Sequence, residues 1–113
     1  MTITQRLLRN QLVLTLTGRF DDHARKPVQR AVEQARAAQH RNLVIDLTSV
    51  PFMDSSALGF LALTHARLKK DHGQLTLVCP RGYVLGLLEL ANFHNLMPIV
   101  GTEQEIGETL AWT

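Results

Sequence analysis

The strongest constraint on the fold of this chain is its regular alternation of short apolar runs with segments of helical spacing. Leu43–Leu47 is a compact apolar run with β-branched residues, the pattern of a strand covered on both faces, and Leu75–Cys79 is a second strand run. Between them, from about Ser55 to Asp71, Leu58, Leu61, Ala62, His65 and Leu68 recur at the spacing of one helix face. Lys69 and Lys70 sit at the negative end of that helix's dipole, and Gly73 follows as a stop signal. Upstream, Val28, Ala31, Val32 and Ala35 mark a helix over about 25–40 with Pro27 near its start. Downstream, Val84, Leu87, Leu88 and Ala91 mark a short helix ending near Asn92. Strands separated by helices run parallel and are joined by right-handed crossovers.

The two ends complete the pattern. Residues 2–8 and 11–17 flank Arg9-Asn10, and Leu12, Leu14 and Leu16 alternate with Val13, Thr15 and Thr17, which predicts a hairpin and makes the sheet mixed. Leu96–Val100 reads as a last strand, placed at an edge by Pro98. Thr102 and Glu105 have capping-box spacing and lead into a short helix with Ile106 and Leu110 inward. The expected order is β-β-α-β-α-β-α-β-α: an α/β fold with a mixed sheet layered with helices, in one domain over residues 1–113. At 113 residues, with 45% hydrophobic and 19% charged, the chain has the size and composition to bury the core of one such domain.

Composition narrows the function by exclusion. No apolar stretch approaches the about 20 residues of a membrane span, and the first residues lack a signal-peptide pattern, so the expectation is a cytoplasmic protein without membrane insertion. The single cysteine, Cys79, has no partner for a disulfide or a metal and reads as a small core hydrophobe. The net charge is only +2, the basic residues are scattered along the sequence, and aromatics are 5%, so charge suggests no nucleic-acid partner. His23, His40, His65, His72 and His94 form no metal-binding spacing, and no cofactor is expected. His65 reads as a satisfied, partly buried residue. Phe20, Phe52, Phe60 and Phe93 read as core, and Trp112 as a terminal residue that either covers an edge or frays.

The most informative segment is Val50–Gly59. It places Asp54, Ser55 and Ser56 between a strand and a helix start, where unpaired backbone N–H groups and the positive dipole end stabilise anions. Capping by Asp54 or Ser55 accounts for one or two of these residues. The residues alone leave open whether Ser56 belongs to a cap or to an anion-compatible hydroxyl site. The chain lacks a GxSxG elbow, a GxxxxGK[ST] loop and a GxGxxG fingerprint. A triad of Ser56, Asp54 and His23 matches no hydrolase order, so no enzyme is expected.

Gly18–Asp21, Val44–Leu47, Phe52–Gly59, Gly73–Leu77 and Leu87–Leu96 resemble, in order and spacing, the STAS domain, and more narrowly the bacterial anti-sigma factor antagonists. The resemblance spans about residues 11–100. It implies that Ser56, the second serine of the Asp-Ser-Ser element, is phosphorylated by an anti-sigma factor that is also a serine kinase. It also implies a partner-binding surface of Asp21, Asp54, Ser55, Ser56, Ala57, Leu58 and Gly59, with Asp21 near Ser56 and Ser55 mainly a cap. The implied partners are that kinase-type anti-sigma factor and a PP2C-type serine phosphatase. Ala57 stands where the family usually has glycine; as a good helix former it should preserve the site. The alternative is a regulatory or structural STAS subunit of a membrane ABC transport complex, acting without phosphorylation. A small-ligand or nucleotide sensor is a third possibility.

Overall fold

The computed structural model describes residues 1–110 and side chains through Ile106; the expectations for Leu110 and Trp112 lie outside that range. Five strands, β1 (Thr2–Leu8), β2 (Gln11–Thr17), β3 (Asn42–Ser49), β4 (Gln74–Val78) and β5 (Ile99–Val100), form one sheet in sequential order. β1 pairs antiparallel with β2, and β2 through β5 are parallel, so the sheet is mixed as the hairpin required. Right-handed crossovers between successive parallel neighbours put their helices on one face. These are α1 (Asp22–Ala37), α2 (Ser55–Lys70) and α3 (Tyr83–Leu90); α4 (Glu103–Leu110) follows β5.

Alternation along the strands divides the interior accordingly. Leu12, Leu14 and Leu16, Leu43, Ile45 and Leu47, and Leu75, Leu77 and Cys79 face the three helices. They meet Val28 and Val32 of α1, Ala57, Phe60, Leu61 and Leu68 of α2, and Val84 and Leu88 of α3. On the other face Val13, Val44 and Val78 form a smaller cluster with Ile106 of α4, while Arg6 pairs with Glu103. Burial, with Asp46 as a second cause, raises the Cys79 thiol from 9.0 to about 11, so it stays protonated and inert at neutral pH. No helix among the described residues is long and apolar enough to cross a membrane.

Several local expectations need correction. α1 begins at Asp22 rather than near residue 25, because Asp21 caps it: its Oδ1 accepts from the N–H groups of His23 and Ala24, both at 3.1 Å. Pro27 therefore lies inside the helix. The last strand is two residues long because Phe93–Asn95 form a 3-10 turn, although β5 is at the sheet edge as Pro98 suggested. Phe52 is half-buried rather than core: its ring stacks on Tyr83 with centroids 6.2 Å apart, and Arg19 lies over it at 4.1 Å. His65 is half-buried as expected, and its Nδ1 meets no hydrogen-bond partner among the described residues. After α2 it is His72, not Gly73, that takes the left-handed conformation, at φ 62°. Gly73 answers a different need, since a Cβ there would lie 1.9 Å from the Arg41 carbonyl oxygen.

Candidate functional site

The ends of β2 and β3 carry their parallel pairing into the loops beyond them. A register shift between Thr15 and Thr17 sets two residues of β2 against three of β3, and Asp46 Oδ1 holds the extra turn by accepting from the Thr48 N–H (2.9 Å) and hydroxyl (2.6 Å). Gly18, at φ +112°, donates its N–H to Ser49 O, a backbone conformation suited to glycine. Phe20 N–H then donates to Phe52 O (2.9 Å), Asp54 N–H donates to Phe20 O (3.3 Å), and Phe20 bridges Met53 in parallel register. Two loops of similar chemistry thus lie side by side, each ending in a buried apolar residue and an aspartate that starts a helix.

Asp54 ties the two helix starts together. Its Oδ1 accepts from the Ala57 N–H at 3.0 Å, capping α2, and its Oδ2 accepts from the Asp22 N–H of α1 at 3.1 Å. The cap of α2 is therefore Asp54, and Ser55 is an exposed first-turn residue rather than the cap expected of it. Ser56 follows, half-buried, with its Oγ between the two helices. The hydroxyl donates to Asp22 Oδ1 at 3.4 Å and accepts from Arg25 Nη1 at 3.5 Å, both at the long, weak limit of hydrogen bonding. The carboxylate that bonds Ser56 is that of Asp22, while Asp21 Oδ1 is engaged with its own helix. Sequence reasoning missed Asp22 and Arg25; nothing local in the sequence marks them, since they reach Ser56 across 34 and 31 residues.

The remaining expected site residues separate by burial. Ala57 is fully buried and Leu58 packs on the core, so both shape the helix start from beneath. Ser55 and Gly59 reach the surface, joined one turn further on by Leu63, which is 44% exposed and was not foreseen. Chemically, the first N–H groups of α2 have no intrahelical acceptor, and Asp54 takes only that of Ala57. A helix dipole end, the N–H groups of Ser55 and Ser56, which meet no acceptor among the described residues, and the Arg25 guanidinium thus surround an accessible hydroxyl, which suits it to carry an anionic group.

Asp21 has a structural duty that its polar turn did not suggest. Asp21→Ala is expected to cost about 1 kcal/mol through loss of the α1 cap, whereas Asp21→Asn keeps the cap and should stay within a few tenths. Thermal melts of the two variants beside the parent check this; equal melting temperatures for all three would contradict it.

This arrangement, a layered α/β sheet presenting a serine at paired helix starts, defines a class. The STAS domain family pattern matches residues 2–106, and the chain belongs to that family. A STAS-domain containing protein of Pseudomonas aeruginosa (strain UCBPP-PA14) is 33% identical over 89 residues, 79% of this chain and 87% of that protein. The anti-sigma F factor antagonist of Paenibacillus polymyxa is 27% identical over 96 residues, 84% of this chain and 82% of that one. Among solved structures, the Bacillus cell fate determinant SpoIIAA in its phosphorylated form shares the fold, with TM-score 0.74 at 20% identity over 96% of this chain and 99% of that one.

Proposed function

We propose that this chain is an anti-sigma factor antagonist acting as a protein-binding switch. With Ser56 unmodified it binds a kinase-type anti-sigma factor through the exposed start of α2, displacing whatever that protein sequesters. The same partner transfers phosphate from ATP to Ser56 Oγ and is thereby released, and a PP2C-type phosphatase resets the chain by hydrolysis. The observation that carries the reading is the setting of Ser56: a loosely held hydroxyl at a helix N-terminus, beside an arginine and on an accessible face. The relative named an anti-sigma F factor antagonist and the shared fold with a phosphorylated SpoIIAA support it. Phosphopeptide mapping after incubation with the cognate kinase and ATP should find the phosphate on Ser56. Modification confined to Ser55 would contradict the assignment.

Gly59 gives an independent handle on the same surface. Nothing lies within 4 Å of a Cβ built there, so its lack of a side chain answers no packing need of the fold. Gly59→Ala is expected to raise stability by up to about 1 kcal/mol, the helix-interior cost of glycine. Gly59→Trp, one turn from Ser56, should weaken partner binding at least about tenfold without lowering the melting temperature. Unchanged affinity in the tryptophan variant would place the partner elsewhere.

A further inference from the structure

The basic residues that look scattered in the sequence are gathered by the topology. α1, α2 and α3 all run from the Ser56 end of the sheet to the opposite end, where the β1–β2 turn and the entries to β3, β4 and β5 also lie. That pole therefore collects Arg9, Arg36, Arg41, Arg67, Lys69 and Lys70, half of the twelve Lys and Arg, against Asp71 and Glu89 from ten acidic residues. His40, His72 and His94 are there as well. Basic residues in last turns ordinarily offset helix dipoles, but three helix ends at about half a charge each offset roughly 1.5 of an excess near four. Arg36 is paired with Asp71, at 2.9 Å; Arg41, Arg67, Lys69 and Lys70 are exposed and meet no carboxylate among the described residues.

A second observation comes from the apolar surface. Of the six exposed large hydrophobic residues among those described, Leu7 (66%), Leu90 (85%) and Leu96 (48%) are carried by the same end, on the β1–β2 hairpin and on either side of the 3-10 turn. Polyanions recognised through cations alone make no use of exposed leucines, and nucleic-acid surfaces that stack bases carry aromatics, whereas the rings stacked at the surface here, Phe52 before α2 and Tyr83 at the start of α3, are at the far end. Cations flanked by exposed leucines fit an anionic lipid surface, where charge attracts and apolar side chains enter the headgroup boundary.

We infer that this pole is a docking surface for an anionic membrane leaflet, holding the chain so that the Ser56 end faces away from the lipid toward soluble partners. The inference stands apart from the switch, since it needs neither phosphate nor a protein partner. The test is co-sedimentation of the whole chain with phosphatidylcholine vesicles containing about 30% phosphatidylserine, beside pure phosphatidylcholine vesicles and a duplex DNA control. Binding to the anionic vesicles is expected to fall at least about tenfold when phosphatidylserine is omitted, and similarly on raising salt from about 0.05 M to about 0.3 M. Arg41→Glu/Lys69→Glu/Lys70→Glu, all exposed, should lose at least about tenfold while melting normally. Leu90→Ser/Leu96→Ser should weaken vesicle binding with charge unchanged. Absence of binding at low salt, equal binding to neutral vesicles, or tighter binding to the DNA would overturn the inference.

Discussion

Phosphorylated on Ser56, the chain is expected to bind its anti-sigma partner at least about 100-fold more weakly than the unmodified chain, at nearly unchanged stability. The two halves of this expectation have separate causes. Within the fold, the added charge of about −1.5 to −2 meets the α2 dipole, the N–H groups of Ser55 and Ser56 and the Arg25 guanidinium on one side, and the Asp22 carboxylate on the other. These terms oppose each other, so the melting transition should move by no more than about 1 kcal/mol. In a closed interface the same dianion loses its water without a matched partner, and an uncompensated buried charge costs several kcal/mol, which is the loss of affinity. Ser56→Ala should therefore bind the partner permanently even with kinase and ATP present. Ser56→Glu, with less charge and bulk, should reproduce the weak state only in part; titration of each variant against the partner reads the difference.

The largest effect on stability is expected from a single added methyl group. Gly73 enters β4 with its N–H donated to Leu68 O, and a Cβ at this position would fall 1.9 Å from the carbonyl oxygen and 2.7 Å from the carbonyl carbon of Arg41. That carbonyl cannot simply swing aside, because it accepts the Gln74 N–H at 3.0 Å where β3 and β4 begin to pair. Gly73→Ala must move backbone on two strands and should cost about 3 kcal/mol, the upper part of the range for overpacking. For a domain of this size that lowers the melting temperature by roughly 12 °C. His72→Gly is the informative control: it relieves a non-glycine residue at φ 62° and should leave stability unchanged or slightly raised. A melting temperature for Gly73→Ala within a degree or two of the parent would show that the close approach is not needed.

The contrast between these neighbours illustrates what the sequence carries. Periodicity placed the helices and strands because burial on two faces of a sheet and one face of a helix imposes it, and Leu43–Leu47 and Leu58–Leu68 obeyed it closely. Gly73 was legible as a helix stop but not as a close contact, since its reason lies in Arg41, 32 residues earlier at the entry to another strand. The start of α1 was misread for a related cause: Asp21 looks like any polar turn residue until the Phe20–Met53 bridge fixes the loop and aims its carboxylate at two N–H groups. The Asp-Ser-Ser element pointed to the right helix end, yet not to the double use of Asp54 or to Asp22 and Arg25, which only the pairing of two loops brings to Ser56. The basic pole was invisible for the same reason: its charges come from separate segments and meet only when the ends of α1 and α2 join the β1–β2 turn and the entry to β3.

One phosphate on Ser56 should control binding and leave folding alone. Calorimetric titration of the kinase-type anti-sigma factor with unmodified chain and with chain phosphorylated stoichiometrically on Ser56, alongside thermal melts of both forms, tests it most directly. Tight binding by the first, a loss of at least about 100-fold in the second, and melts that nearly coincide are expected. Equal affinity for the two forms, or a loss accompanied by unfolding of the phosphorylated chain, would contradict it.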